Sequence, residues 1–98
     1  MSQKMNKKKL FSKICVLGLG YIGLPTAAMF ASRELSVIGV DINKSTVDTV
    51  NLGQIHIVEP GLEKVVHTAV NKGFLYASSV PLAADAFLIA VPTPIQFL

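Results

Sequence analysis

Six consecutive residues, Gly18-Leu19-Gly20-Tyr21-Ile22-Gly23, have the spacing G-x-G-x-x-G. That spacing suits a backbone built to hold phosphate. Gly18 permits a tight turn. Gly20 has no Cβ, so the chain can approach a pyrophosphate. Gly23 lets a following helix pack close to the preceding strand. N–H groups near Tyr21 and Ile22, in the first helical turn, are free to donate to phosphate oxygens, and the helix dipole favours an anion there. Asp41 lies 21 residues after Gly20. An acid at that distance can accept hydrogen bonds from both hydroxyls of an adenosine ribose. It would repel a 2′-phosphate, which favours NAD over NADP. The competing reading is structural: a glycine turn, and a strand-end acid that caps the next turn.

The motif has this meaning only between a strand and a helix. Residues Lys13 to Leu17 read as a strand rich in Ile and Val. A helix is predicted from Ile22 to Ser32, with Pro25 in its first turn, where a missing N–H does little harm. Ser36 to Val40 reads as a second strand that ends at Asp41. Ser45 is a candidate cap for the next helix, and Gly53 can end it. Glu59-Pro60-Gly61 opens a third helix, in which Leu62, Val65, Val66, Ala69 and Val70 form one apolar stripe. Gly73 can end that helix. Phe74 to Ala77 is predicted as a strand, and Ser79 to Asp85 as a brief connector that can form one helical turn. Ala86 to Val91 is continuously apolar, as expected of a parallel strand buried on both faces, and Pro92 and Pro94 stop it. The pattern predicts the α/β class, a Rossmann-type parallel sheet corresponding to an N-terminal half, with strand order 3-2-1-4. Thr93 follows the fourth strand, beside the end of the first, and is a further candidate for cofactor contact at the topological switch point.

Other polar residues point elsewhere. Cys15 falls inside the first strand, where an apolar site makes a thiol inert. His56 and His67 lack the partners of a metal site. Glu59 could face a ligand or serve the helix entry ahead of Pro60.

The chain has 98 residues, of which 51% are hydrophobic and 15% charged, with one cysteine. Such a composition excludes a disordered protein and a disulfide scaffold, and the length allows one domain. The net charge of +3 is unevenly placed. Five lysines precede residue 14, and the remainder carries four cations against six carboxylates. Residues 1–12 therefore read as a basic, flexible tail, and residues 13–98 as the folded part. No basic stripe with interleaved aromatics is present, so no nucleic-acid partner is expected. Lys7 to Lys13 followed by Ile14 to Ala28 mimics a signal peptide, but the glycines and Pro25 have the spacing of the phosphate motif. No run approaches the roughly 18 apolar residues of a membrane span. A cytoplasmic protein with a reduced Cys15 and no membrane partner is expected.

Four segments together resemble the UDP-glucose/GDP-mannose dehydrogenase family: GLGYIGLPTAA (Gly18 to Ala28), VIGVDIN (Val37 to Asn43), IHIVEPGL (Ile55 to Leu62) and ADAFLIAVPTP (Ala84 to Pro94). The resemblance covers about residues 13 to 94. It implies NAD as cofactor and oxidation of the C6 alcohol of a UDP-sugar to a carboxylate, with two NAD reduced. It also implies a catalytic cysteine that carries a thiohemiacetal and then a thioester. By motif position, Tyr21 and Ile22 would contact the pyrophosphate, Asp41 the adenosine ribose, and Thr93 the cofactor near the switch point.

Members of that family run to several hundred residues, and Cys15 matches their first strand and not their catalytic cysteine. The chain therefore reads as an incomplete dinucleotide-binding domain, inactive alone, with no catalytic residue assignable and the UDP-sugar a partner only of a full-length enzyme. An apolar fourth strand at the sheet edge predicts self-association. Two alternatives stay open: a β-hydroxyacid dehydrogenase, whose glycine loop also reads GLG-x-x-G-x-P, and a non-enzymatic nucleotide-binding or interaction module.

Overall fold

Short apolar strands and amphipathic or alanine-rich helices follow one another along the chain. The computed structural model describes residues 12–90. The elements are β1 (Lys13–Leu17), α1 (Gly23–Ser32), β2 (Ser36–Val40), α2 (Lys44–Asn51), α3 (Leu62–Asn71), β3 (Leu75–Ser78) and β4 (Ala86–Ile89). Thr93, Val91 and the two prolines predicted to stop the last strand lie outside the described residues. So does the basic tail, apart from Ser12.

The sheet has the order β3-β2-β1-β4, and every pairing is parallel. This is the predicted topology. Cys15 of β1 is flanked by Ile38 of β2 and Phe87 of β4, which places β1 at the centre.

Alternation along β1 divides the side chains between two faces. Ile14 and Val16 join the main core with Leu24, Ala27, Ala28 and Ala31 of α1, Val47 and Val50 of α2, and Leu62, Val66 and Ala69 of α3. All three helices therefore cover one face. The alanines of α1 let its axis lie close to the sheet, and burying Leu24 alone contributes about 2 kcal/mol. Cys15, Ile38 and Val40 form a smaller cluster on the opposite face, with Leu17 and with Ala84 from the connector. Cys15 is fully buried there, in keeping with a core role.

Four expectations need correction. The cap of α2 is Asn43 and not Ser45: its Oδ1 accepts the N–H groups of Ser45 at 3.0 Å and Thr46 at 3.4 Å. Asn43 has the extended backbone that precedes a first turn, whereas Ser45 already lies within it. The connector 79–85 contains no helical turn. Ser78 Oγ and Val80 close a local turn, and Pro81 has no N–H with which to continue a helix. β4 is not buried on both faces. Phe87 is 50% and Ile89 74% exposed, because among the described residues their side of the sheet carries only the connector. In α3 the apolar stripe is narrower than predicted, since Val65 sits at its exposed border.

The two sheet edges differ. Asn51 donates through Nδ2 to the Ala77 carbonyl at 2.9 Å and accepts the Ala77 N–H through Oδ1 at 2.8 Å. Its carboxamide thus stands where a neighbouring strand's peptide would, and it blunts the outer edge of β3.

At the start of β1 the chain is fastened by Asp85. Its Oδ2 accepts the N–H of Lys13 at 3.0 Å, and the hydroxyl and N–H of Ser12 at 3.1 and 3.0 Å. These donors, the Lys13 N–H foremost, hold the Asp85 carboxyl below its ordinary pKa. A depressed carboxylate stabilises the fold above the ordinary carboxylate range, and that stabilisation is lost as pH falls through the lowered value. Asp85→Asn should therefore be less stable than the parent at pH 7 in urea unfolding. The difference should shrink as pH falls below about 4. A difference that does not change with pH would contradict this account.

Candidate functional site

β1 delivers the chain to Gly18, which takes a left-handed φ of 103° and donates its N–H to the Val40 carbonyl at 2.7 Å. The turn predicted at Gly18 is present. Leu19 is fully buried, with its side chain wedged against Gly39 of β2. A Cβ on Gly39 would lie 2.7 Å from Leu19 Cδ2. The sequence reading passes over Gly39; its signal was a glycine inside a strand, which marks a close approach.

Gly20 and Gly23 do opposite things. A Cβ on Gly20 would meet nothing within 4 Å, so this backbone faces open space. A Cβ on Gly23 would lie 1.6 Å from the Gly18 carbonyl oxygen. Only a hydrogen fits there, and α1 starts against the end of β1.

The first closed helical bond joins the Leu24 N–H to Gly20 O at 3.1 Å. The N–H groups of Tyr21, Ile22 and Gly23 precede it and have no intrahelical acceptor. Ile22 is the N-cap and supplies no side-chain cap, and the first turn carries no acidic residue. By contrast, the Asn43 side chain caps α2. Tyr21 and Ile22 are about 70% exposed above this end of the sheet. The start of α1 is therefore an open, positively polarised helix terminus.

Asp41 is part-buried at the end of β2. Its Oδ2 accepts the Leu19 N–H at 2.9 Å, and its Oδ1 accepts the Asn43 N–H at 2.9 Å. The turn-capping reading is thus realised, and the carboxylate also reaches across to the glycine loop. A carboxylate has about four lone-pair positions, so about two remain for a ligand. Beside it opens a cavity of about 270 Å³, lined mainly by apolar atoms of Leu17, Val40, Ile42 and Pro81. Ile42 is 95% exposed at its rim. The sequence reading did not single out these lining residues, since nothing local links Ile42 to Pro81.

The structure brings Gly18, Gly20, Tyr21, Ile22, Gly23 and Asp41 to one end of the sheet. It does not bring Glu59 into the cavity beside Asp41. The Glu59 carbonyl accepts the Leu62 N–H at 3.1 Å, the helix-entry role. His67 pairs with Asn71 at 2.9 Å on the surface of α3. A second cavity, of about 290 Å³, lies between the end of α1 and α3 and contains none of the loop residues.

Residues 12–97 match the UDP-glucose/GDP-mannose dehydrogenase family, NAD binding domain. The chain belongs to this family. It is 65% identical over 86 residues to a UDP-N-acetyl-D-mannosamine dehydrogenase of Campylobacter jejuni, covering 88% of this chain and 21% of that protein. To the enzyme of the same name from Escherichia coli K12 the identity is 67% over 86 residues, covering 88% and 20%. The solved UDP-N-acetyl-mannosamine dehydrogenase of Staphylococcus aureus superposes with a TM-score of 0.83 at 53% identity, covering 87% of this chain and 20% of that one. A GDP-mannose dehydrogenase from Pseudomonas aeruginosa, solved as a ternary complex, gives 0.81 at 36% identity, covering 85% and 20%. The chain thus spans about a fifth of the length of these relatives. The match decides against the β-hydroxyacid dehydrogenase alternative and makes NAD the cofactor of this domain family.

The contrast between the two glycines is testable without any ligand. Gly23→Ala should cost about 3 kcal/mol or more, as overpacking against rigid backbone does. Gly20→Ala should stay within about 0.5 kcal/mol of the parent. Urea unfolding of both variants checks this, and equal losses would contradict it.

Proposed function

We propose that residues 13–98 form the NAD-binding segment of a UDP-N-acetyl-D-mannosamine 6-dehydrogenase of surface-polysaccharide synthesis. The observation that carries this reading is the uncapped start of α1 facing open space at Gly20, with Asp41 beside it. In this reading the N–H groups of Tyr21, Ile22 and Gly23 hold the pyrophosphate. Gly20 lets it approach, Gly18 shapes the turn, and the free lone pairs of Asp41 take the ribose hydroxyls. The apolar cavity against Ile42 accommodates the adenine. Thr93 is assigned to the cofactor on motif position alone. NAD, when bound, supplies the hydride acceptor for oxidation of the sugar C6 alcohol.

The UDP-sugar is a substrate of the longer enzyme, and no residue of this chain is assigned a catalytic role. The printed names of the most similar relatives support the N-acetylmannosamine assignment. Among the described residues no helix is long and apolar enough to cross a membrane. A buried free thiol at Cys15 and a nucleotide cofactor support a cytoplasmic setting.

A specific observation also supports self-association. No strand pairs with the outer edge of β4 among the described residues, and Phe87, Ile89 and Tyr76 are exposed on one face of the sheet. Asn51 blunts the other edge, so in this reading copies of the chain would associate through β4. Sedimentation at micromolar concentration should show species larger than the monomer, and a monomer at all concentrations would refute this.

Calorimetry of the purified chain should show NAD binding in preference to NADP. Asp41→Ala should weaken NAD binding by at least about tenfold, the scale of losing hydrogen bonds to a charged group. Gly20→Ala should remove NAD binding while leaving the fold intact. A folded parent chain that binds no NAD would overturn the reading.

A further inference from the structure

We propose that Asp41 supports dinucleotide binding through the glycine loop itself, independently of its contact with the ribose. The inference rests on the NAD reading above and deepens it by assigning Asp41 a second, positioning role. Three observations carry it. Both carboxylate oxygens hold main-chain donors, Leu19 N–H on Oδ2 and Asn43 N–H on Oδ1, each at 2.9 Å. Leu19 stands between the two turn glycines, and nothing packs against the position of a Cβ on Gly20. The residue that donates the second hydrogen bond, Asn43, is also the cap of α2.

The mechanics follow from these contacts. The Leu19 side chain is fixed in position by Gly39, but a side-chain wedge does not fix the rotation of the peptide plane that precedes it. The Leu19 N–H lies in that plane. Its charge-assisted bond to Asp41 fixes the rotation. The loop leaves Leu19 through Gly20, the residue with the fewest conformational restraints, toward the N–H groups of Tyr21 and Ile22. A free loop would lose this freedom when a ligand binds, and that loss weakens affinity. Asp41 removes the freedom beforehand and ties the loop to the rigid start of α2. A corollary follows for cofactor preference. Replacing Asp41 to admit a 2′-phosphate would relax the loop and weaken NAD and NADP alike.

The test is a cycle between protein and ligand. The parent chain and Asp41→Ala are each titrated with ADP and with 2′,3′-dideoxy-ADP, which has no hydroxyls for Asp41 to hold. Coulomb's law alone predicts that removing a carboxylate strengthens binding of an anion. The proposal requires the opposite: dideoxy-ADP should bind Asp41→Ala about fivefold or more weakly than it binds the parent. Dideoxy-ADP binding that is unchanged or stronger in the variant overturns the proposal and leaves the NAD reading standing. Failure of the parent to bind either ADP or NAD overturns the NAD reading itself, and this inference with it.

Amide hydrogen exchange on the ligand-free parent gives a second readout that does not depend on the variant folding. The Leu19 amide should be protected relative to those of Tyr21 and Ile22. Equal, fast exchange at all three would show that no tie exists and would overturn the proposal.

Discussion

The first turn of α1 touches the end of β1 through a gap that admits only hydrogen. A side chain at Gly23 would overlap the Gly18 carbonyl, and the rest of the arrangement depends on that approach. Because the helix begins there, its free N–H groups sit directly above the C-terminal ends of β1 and β2. Because it stays close to the sheet, Ala27, Ala28 and Ala31 suffice to fill the interface. A larger residue at position 23 would lift the helix, open the core beneath it and move the free N–H groups of its first turn away from Asp41.

Two exposed or half-exposed carboxylates fasten opposite ends of β1, and they do so for different ends. Asp85 gathers three donors from Ser12 and Lys13 where the strand begins. Asp41 gathers the Leu19 N–H where the strand gives way to the glycine loop. The first contact sets where the chain enters the sheet. The second sets the orientation of a loop whose glycines could otherwise sample many conformations. Both use a charged acceptor on main-chain donors, a stronger contact than a neutral pair. The two faces of the sheet are less balanced. Among the described residues, three helices cover the Ile14 and Val16 face, whereas only the connector crosses the Cys15 and Ile38 face, where Phe87 and Ile89 are exposed.

Much of the fold was legible because its signals are local. The strand β1, the glycine spacing, the alanine-rich helix and the acid at the end of β2 follow one another in order, and each predicts its neighbour. Strand order followed from the rules of parallel crossovers. The errors arose where a local signal had two solutions. Asn43 and Ser45 are both good caps, and only the extended backbone at Asn43 decides between them. Ala86 to Val91 is apolar throughout, and apolarity states what a strand tolerates, not what covers it.

The sequence by itself determined the parallel α/β order, the phosphate-type glycine turn and the place of Asp41 at a strand end. These depend on residue type at short, fixed spacing, where backbone geometry leaves few choices. Tertiary structure alone decided that Leu19 wedges against Gly39, that Asp41 reaches back to the Leu19 N–H, that Asn51 closes the edge at Ala77, and that Ile42 meets Pro81 across a cavity. Each of these joins residues about 20 or more positions apart. Their meeting depends on how the strands are placed side by side, a distance that no local propensity encodes.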